Sequence, residues 1–468
     1  MFVGRERELA VLEEAYASDS FQMAVLYGRR RVGKTALLER FAQGKRTLFF
    51  TAQLQADIDN LRDFSRAVTS FLSMPEGTPP FATWLDALEF VAQQACAQHL
   101  VFVFDELPYA ARSHSALPSA LQIAIDRHFS KTNCLMILCG SNQGFMEEEV
   151  LGAKSPLYGR RTLQMKLRPF DYLDAARLMG DCPAEDKVSY YASLGGTPYY
   201  LSAIRTDLSY VENMERLFFT RTGLMFDEPN MLLRQELREP AVYSSVMRAI
   251  AAGANRMNEI ADRSGIAVTS VMSYLKVLTE LDLVGRVVPF GEPKRSRKSL
   301  YRIKDPAFLF WFHFVAPYVT AVEGGLGTQV ARRLLDGDRR SEYEGHLFEK
   351  VCREWLLREA GKGALPIQPT VVSSWWGTDP STHSQTDIDV VAADEIGHQI
   401  ILGECKWRNQ VNASEVLNTL CARQHLIPGY HDPYLYLFLK RPPTSSLQKE
   451  GLSSKTRLIT LDNLYNPA

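Results

Sequence analysis

The chain of 468 residues lacks three features that would define its class. Its seven cysteines are odd in number and include no CxxC pair, which argues against a disulfide framework or a zinc ribbon. Its net charge is −1, so the chain as a whole does not attract nucleic acid or acidic membranes. The apolar aromatic run FLFWFHFVAPYV is too short to cross a bilayer, and the start MFVGRERELAVL has no apolar core typical of a signal peptide. We therefore expect a reduced, cytoplasmic protein without membrane spans.

The length and the composition predict several globular domains. Hydrophobic residues make up 46% of the chain and charged residues 23%, as in ordinary soluble proteins. A chain this long exceeds the size of a single hydrophobic core and predicts two to four domains.

The first part of the chain alternates short apolar segments with amphipathic ones. The apolar segments FQMAVLYG, TLFFTA, LVFVFDE and CLMILCGSN have the length of buried strands. This alternation predicts an α/β fold with a parallel sheet covered by helices on both faces. Residues from about 170 to 234 have a helical pattern interrupted by GGTP, which suggests a helical lid. We place this first domain at residues 1–235.

The segment GRRRVGKT follows a predicted strand and precedes a predicted helix, which is the context of a phosphate-binding loop. Its glycines let backbone N–H groups surround phosphate oxygens, and the helix N-terminus adds a favourable dipole. Lys34 supplies a positive charge to the β- and γ-phosphates, and Thr35 offers a hydroxyl group to Mg²⁺. The predicted ATP-binding residues are Gly28, Arg29, Arg30, Arg31, Val32, Gly33, Lys34 and Thr35.

Two acidic residues end the predicted strand LVFVFDE. At the carboxyl end of a parallel strand, Asp105 is placed to hold Mg²⁺ and Glu106 to polarise the attacking water. Together with the phosphate-binding loop, this pair predicts ATP hydrolysis.

The order of these segments resembles the archaeal-type ATPase family, a group of signal-transduction P-loop NTPases. The resemblance rests on FVGRERELAVL, the phosphate-binding loop, FDELPY, LCGSN, SPLYGRR and GGTPYYL. It implies that Ser141 or Asn142 senses the γ-phosphate and that Arg160, or equally Arg161, is an arginine finger. A finger that acts on a neighbouring copy would require a homo-oligomer. It also implies that Pro198 is a lid residue near the nucleotide.

Residues 236–320 predict a winged-helix domain, followed by a linker at 321–341. Two helices around Gly265, the second with Thr269 or Ser270 as its cap, precede two short strands. The strands flank a basic turn, and residues 285–304 have seven basic side chains and one acidic, for a local charge of +6. This wing predicts contact with the DNA backbone; packing or dimerisation is the alternative. The basic residues are Arg286, Lys294, Arg295, Arg297, Lys298, Arg302 and Lys304.

Residues 342–468 form a third predicted domain with a cluster of charged residues on two strands. Asp387 and Asp389 share one face of the strand TDIDVV, and Glu404 and Lys406 share one face of HQIILGECKW. A short turn joins the strands, so we expect a hairpin. Asp389 and Glu404 are then candidate ligands of Mg²⁺, with Lys406 beside the reacting water. A salt bridge of Lys406 with Asp389 or Glu404 is the alternative.

The segments GHLFEKV, WWG, DIDVV and GECKW resemble the restriction-endonuclease-like PD-(D/E)xK fold. The resemblance implies that Asp389, Glu404 and Lys406 are the catalytic core, that Glu349 is a supporting acid and that Asp387 is an accessory one. Glu344 competes with Glu349, and Ile388 stands where the motif has proline.

Three functions remain open for the whole chain. The first is an ATP-controlled nuclease. The second is a regulatory ATPase with an inert nuclease-like domain that binds DNA or a protein, and the third is a protein-interaction switch.

Overall fold

The computed structural model describes residues 2–443 and 453–466. The chain forms two compact units. The first comprises Met1–Phe170 and Thr197–Tyr199, and the second comprises Asp171–Gly196 and Tyr200–Ala468. Most of the predicted lid therefore groups with the second unit, although we expected it to belong to the first domain.

The first unit contains a parallel sheet of five strands in the order β2-β3-β4-β1-β5. Alternate residues of the strands enter different cores: Val25 and Phe104 belong to one cluster, and Leu26 and Val103 to another. The sheet is therefore buried on both faces, which confirms the predicted P-loop NTPase architecture. The strands are β1 (Gln22–Tyr27), β2 (Thr47–Thr51), β3 (Val101–Asp105), β4 (Leu135–Gly140) and β5 (Leu163–Lys166).

The first helix of this unit precedes β1, and the others lie between the strands along the chain. They are α1 (Glu6–Tyr16), α2 (Lys34–Ala42), α3 (Asp57–Phe71), α4 (Trp84–Ala97), α5 (Leu107–Ser113), α6 (Leu117–Arg127) and α7 (Gln143–Phe145). A π-helical turn at Met146–Val150 continues α7.

The second unit begins with helices. These are α8 (Tyr172–Ala176), α9 (Ala184–Leu194), α10 (Pro198–Leu201, which begins in the first unit), α11 (Tyr210–Phe218) and α12 (Glu228–Glu236).

A winged helix follows, as predicted. It consists of α13 (Pro240–Ala251), α14 (Met257–Ser264), α15 (Val268–Glu280) and the antiparallel strands β6 (Val284–Val287) and β7 (Leu300–Ile303). Gly265 ends α14 in the left-handed conformation. The cap of α15 is Ala267, so Thr269 and Ser270 lie inside the helix and the predicted side-chain cap is wrong.

Residues 306–361 are mainly helical. The helices are α16 (Pro306–Phe310), α17 (Val319–Glu323), α18 (Gly327–Leu335) and α19 (Asp338–Gly361), and a π-helical turn spans Trp311–Val315. Helix α18 lies within the predicted linker 321–341 and buries Ala331, Leu334 and Leu335. The segment GGLG at residues 324–327, whose glycines suggest the predicted linker, is a tight turn between two helices. The boundaries of the predicted domains stay predictions.

The C-terminal part is built on a mixed sheet in the order β12-β11-β10-β9-β8. In this sheet β9 pairs antiparallel with both β8 and β10, and β11 pairs parallel with both β10 and β12. The predicted hairpin is present, because β9 and β10 pair from Gln399 opposite Asp394 to Gly403 opposite Val390. The elements are β8 (Val371–Thr378), β9 (Gln385–Asp394), β10 (Gln399–Lys406), α20 (Ala413–Ala422), β11 (Tyr434–Leu439), β12 (Thr456–Thr460) and α21 (Leu461–Tyr465).

Candidate functional site

The loop between β1 and α2 has the backbone of a phosphate-binding loop. Gly28 has a φ of 156°, and a Cβ there would lie 2.3 Å from the carbonyl oxygen of Leu167, so only glycine permits this approach. Gly33, at φ 91°, precedes α2 in the left-handed region, and Arg31 has a φ of 70°. The turn and the N-terminus of α2 together form a cradle for phosphate oxygens.

The side chains of this loop are held from several directions. The Lys34 ammonium group is buried and donates to the carbonyl oxygens of Gly28 at 2.9 Å and Arg29 at 3.1 Å. Arg30 donates to the hydroxyl group of Tyr109. Arg5, which the sequence did not identify, donates to the carbonyl oxygen of the buried Val32 at 3.0 Å and so braces the loop from α1.

The acidic pair at the end of β3 meets the start of α2. The hydroxyl group of Thr35 donates to Asp105 Oδ2 at 3.0 Å, and Asp105 is almost fully buried. Glu106 has a φ of 52° and accepts bonds from the backbone N–H and hydroxyl groups of Ser141. The structure thus brings Thr35, Asp105, Glu106 and Ser141 together from three separate segments.

The other predicted nucleotide-sensing residues have local partners. The side chain of Asn142 caps α7 by accepting from the N–H of Phe145 at 2.8 Å. Arg160 pairs with both carboxylate oxygens of Asp126, each at 2.7 Å, and also donates to the carbonyl oxygen of Pro156. The hydrogen bonds with Asp126 raise the pKa of Arg160. Because these bonds occupy its guanidinium group, an arginine-finger role requires the pair to break.

Pro198 and Tyr199 lie beside the phosphate-binding loop. A Cβ added at Gly33 would lie 3.8 Å from Pro198 Cγ. The guanidinium carbon of Arg31 lies 4.7 Å from the centroid of the Tyr199 ring, within the range of a cation–π contact. The position of Pro198 agrees with the lid residue expected from the resemblance.

This donor set suits a nucleotide triphosphate with Mg²⁺. The loop supplies backbone N–H groups and an ammonium group for phosphate oxygens, and Thr35 and Asp105 supply two oxygen ligands. Mg²⁺ in proteins is held by one or two carboxylates together with substrate phosphates and water, which matches this small set of protein oxygens.

In the C-terminal sheet, the carboxylates of Asp389 and Glu404 lie at the open end of the β9–β10 hairpin. The regular pairing ends at Val390 and Gly403, and the next residue on each strand is one of these two acids. Asp389 Oδ2 accepts the N–H of Cys405 at 2.8 Å. Lys406 Nζ donates to Glu404 Oε1 at 2.6 Å, so the salt bridge of the alternative interpretation is present.

Glu349 and Glu344 on α19 have different surroundings. Arg353 donates both to Glu349, at 3.4 Å, and to the carbonyl oxygen of Asp389, at 2.8 Å, so Glu349 is linked to β9. Glu344 is buried and accepts bonds from Arg340 and from the indole N–H of Trp407. Of the two, Glu349 is the one linked to Asp389, and its role as a supporting acid stays a prediction. The side chain of Asp387 is exposed.

The carboxyl groups influence each other. Burial, followed by the charges of Glu404 and Glu349, raises the pKa of Asp389 to about 8. Burial would also raise the pKa of Glu349, but His346 and Arg353 together hold it below its usual value. Although burial opposes its charge, Glu404 raises the pKa of Lys406. The site therefore favours an additional positive charge near Asp389.

A cation at this place has two carboxylates available. Within residues 2–443 and 453–466, no group of three His, Cys, Asp or Glu side chains is arranged to hold a metal ion. Asp389 and Glu404 are nevertheless hard oxygen donors, and Mg²⁺ commonly uses only one or two carboxylates. The donor set is therefore compatible with Mg²⁺.

The wing of the winged helix packs on the C-terminal sheet. The N–H of Phe290 donates to the carbonyl oxygen of Ser374 at 2.9 Å, at the irregularity in the β8–β9 pairing. The guanidinium carbon of Arg302 lies 5.8 Å from the centroid of the Trp376 ring. The wing and the candidate nuclease residues are thus parts of the same compact unit.

Comparison with known proteins decides the nature of the first unit. Residues 2–204 match the family described as an ATPase domain predominantly from Archaea. This part of the chain is therefore similar to archaeal ATPase domains. Residues 311–417 match a family of archaeal and bacterial proteins of unknown function. The resemblance to the archaeal-type ATPase family and the prediction of a P-loop ATPase are both confirmed, and the resemblance to the PD-(D/E)xK fold stays a prediction.

Relatives of the ATPase occur among archaeal proteins. It is 29% identical to an uncharacterized protein of Methanocaldococcus jannaschii over 411 residues, 87% of this chain and 88% of that protein. A segment of 46 residues, 10% of this chain, is 46% identical to an uncharacterized ATP-binding protein of the same organism and covers 78% of it.

A solved structure supports the fold of the ATPase. The Walker-type ATPase of Pyrococcus abyssi superposes with a TM-score of 0.51 at 21% identity, over 66% of this chain and 96% of that chain. In the described part of the ATPase chain, no helix has the length and apolar character that a membrane crossing requires.

Proposed function

We propose that the chain is an ATP-hydrolysing switch whose C-terminal domain cleaves DNA in a reaction that depends on Mg²⁺. The observation that carries this proposal is the meeting of Asp389, Glu404 and Lys406 at the open end of one hairpin, in a chain that also contains an ATPase domain. Their arrangement agrees with the catalytic core implied by the PD-(D/E)xK resemblance.

In the ATPase domain, each residue has a distinct task. Gly28 to Lys34 bind the phosphates, and Thr35 and Asp105 hold Mg²⁺. Glu106 orients the attacking water, and its bonds to Ser141 connect that water to the end of β4. Arg160 or Arg161 stabilises the charge that develops on the γ-phosphate.

In the nuclease-like domain, Asp389 and Glu404 hold the metal ion and Lys406 orients the water or stabilises the transition state. Mg²⁺ held there would lower the pKa of a coordinated water and neutralise charge on the phosphoryl group. Glu349 keeps the end of β9 in position through Arg353.

The basic wing supports DNA as the substrate. Among the described residues, Lys294, Arg295 and Arg297 form no ion pair and are exposed, whereas Lys298 pairs with Glu292. Exposed, unpaired basic side chains are available to neutralise phosphates.

A regulatory ATPase with an inert nuclease-like domain is the second candidate. The ion pair between Lys406 and Glu404 favours it, because a structural salt bridge needs no substrate. A protein partner or a second copy of the chain would then be the target of the switch.

Plasmid cleavage distinguishes these functions. We expect the wild-type protein with Mg²⁺ and ATP to nick or linearise DNA. Lys406→Ala and Asp389→Asn should each lose at least about 100-fold of the rate, since the first removes the group beside the reacting water and the second removes a candidate ligand of Mg²⁺. Glu395→Gln, at the turn end of the same hairpin, is the matched control and keeps full activity. Equal rates for wild type and Lys406→Ala would reject the nuclease function.

A further inference from the structure

A cleft of about 270 Å³ opens beside Glu404 and is lined mainly by residues that the predicted catalytic core does not include. One side is formed by the end of β10 and the loop after it, including Lys406 and Arg408. The other side is formed by α20 and the residue that follows it, Arg423. Its size is near the lower limit of about 300 Å³ for small-molecule sites, which suits one nucleotide unit.

Arg423 is anchored at only one end of its guanidinium group. Its Nη1 donates to the carbonyl oxygen of Asp387 at 2.8 Å and lies 3.4 Å from Glu404 Oε2. In the part of the chain that the structure describes, its Nε and Nη2 atoms make no hydrogen bond, and 23% of the side chain is exposed. A guanidinium group with free N–H donors binds phosphate in a fixed, two-point geometry.

Arg408 follows a residue whose side chain is buried and hydrogen-bonded. The preceding residue, Trp407, is buried, donates its indole N–H to Glu344 at 2.9 Å and lies under the ammonium group of Lys440. Arg408 itself is exposed and has no ion pair among the described residues. Its position is therefore fixed at the backbone while its charge remains available.

The charges of the cleft favour an anion. Three basic side chains and two acidic ones line it, and the charge of Glu404 is already neutralised by Lys406. The second acid, Glu415, lies in the first turn of α20. Arg408 and Arg423 thus remain as positive charges without a full counter-charge.

We propose that Arg408 and Arg423 form a binding subsite for a backbone phosphodiester of the nucleic-acid substrate, adjacent to the phosphate that is cleaved. The proposal deepens the proposed nuclease function and rests on it for the identity of the substrate. When Arg423 turns toward a phosphate, it leaves Glu404 Oε2, so substrate binding also removes one of the two cations that neutralise this carboxylate.

The test is calorimetric titration with thymidine 3′,5′-bisphosphate in the presence of EDTA. Lys34→Ala is used as the background so that the phosphate-binding loop does not compete. We expect this protein to bind the bisphosphate, and the added changes Arg423→Met or Arg408→Met to weaken binding at least about tenfold, because each removes a charge-assisted contact. Arg66→Met, at an exposed position of α3 in the first unit, is the control and leaves binding unchanged.

The outcomes separate the subsite from the nuclease function. Absence of binding in the Lys34→Ala background, or equal binding after both arginine changes, overturns the subsite even if DNA is cleaved. Binding that depends on Arg423, in a protein that cleaves no DNA, supports the anion subsite and rejects the nuclease. Circular dichroism confirms that Arg423→Met is folded, and Arg423→Lys, which keeps the charge but not the fork, is expected to bind with intermediate affinity.

Discussion

The carboxyl group of Asp389 is buried near the negative charges of Glu404 and Glu349. This arrangement affects the free energy of unfolding. A carboxyl group in such a place keeps its proton to a higher pH than in the unfolded chain. With its pKa raised to about 8, Asp389 remains protonated in the folded, metal-free protein over a range in which the unfolded chain has already lost that proton.

This difference predicts that the metal-free protein loses stability as the pH rises. Between about pH 4 and pH 8 the unfolded chain binds fewer protons at Asp389 than the folded chain, so the free energy of unfolding decreases by up to about 1.4 kcal/mol per pH unit. Asp389→Asn removes this contribution. We expect its unfolding midpoint in EDTA to rise relative to wild type as the pH increases from 5 to 8.

Asp387→Asn provides the control for that measurement. Its side chain lies two residues away on the same strand but is exposed. Its unfolding midpoint should differ from wild type by an amount that does not change with pH. A pH-independent difference for Asp389→Asn as well would show that the buried carboxyl group is charged throughout.

At the scale of elements, the sequence predicted what depends on local patterns. The parallel sheet followed from buried strands that end in Asp105 or lead into the phosphate-binding loop, and the hairpin followed from alternation around Asp389 and Glu404. Both patterns are set by residues close together in the chain, where side-chain periodicity and turn chemistry act directly.

The features that the sequence did not predict depend on distant contacts. Arg423 reaches Glu404 only because α20 crosses between the parallel strands β10 and β11 and ends beside the hairpin. Arg5 contacts Val32 across 27 residues. The glycines of GGLG suggest a linker, and they do not reveal that the following helix α18 buries an apolar face. For the cleft, the signal in the sequence is the basic residue Arg408, which directly follows GECKW.

The wing predicts a specific salt dependence of DNA binding. If Lys294, Arg295 and Arg297 each neutralise one phosphate, log K should fall with log salt concentration with a slope of about −2.7, at about −0.9 per phosphate. Arg295→Met should make the slope shallower by about 0.9 and weaken binding similarly for all sequences, because backbone contacts do not read bases.

Fluorescence anisotropy of a labelled duplex across a salt series measures this slope. Lys276→Met on α15 is the matched control, because Lys276 forms an ion pair with Glu280 within the helix, at 3.6 Å. The slope of this control should stay at the wild-type value. A slope near zero for wild type would assign the wing to packing rather than to DNA.

At the scale of the whole molecule, the chain connects its two units more than once. Residues Thr197–Tyr199 group with the ATPase unit, while the residues on both sides group with the second unit. Tyr199 contacts Arg31 of the phosphate-binding loop, and Pro198 lies beside Gly33. The phosphate-binding loop therefore contacts a segment that is covalently continuous with the second unit.

This connection predicts a variant that separates nucleotide binding from its consequence. Tyr199→Ala removes the cation–π contact with Arg31 but none of the groups that we assign to phosphate or Mg²⁺ binding. We expect ATP affinity within about fivefold of wild type, because an exposed contact of this kind contributes only about 0.5–1 kcal/mol. The effect of ATP on DNA cleavage should be lost, since the nucleotide-bound loop no longer holds the segment. Tyr158→Ala, another exposed tyrosine of the first unit, is the control and keeps the ATP effect. Cleavage by Tyr199→Ala that still responds fully to ATP would place the coupling elsewhere in the chain.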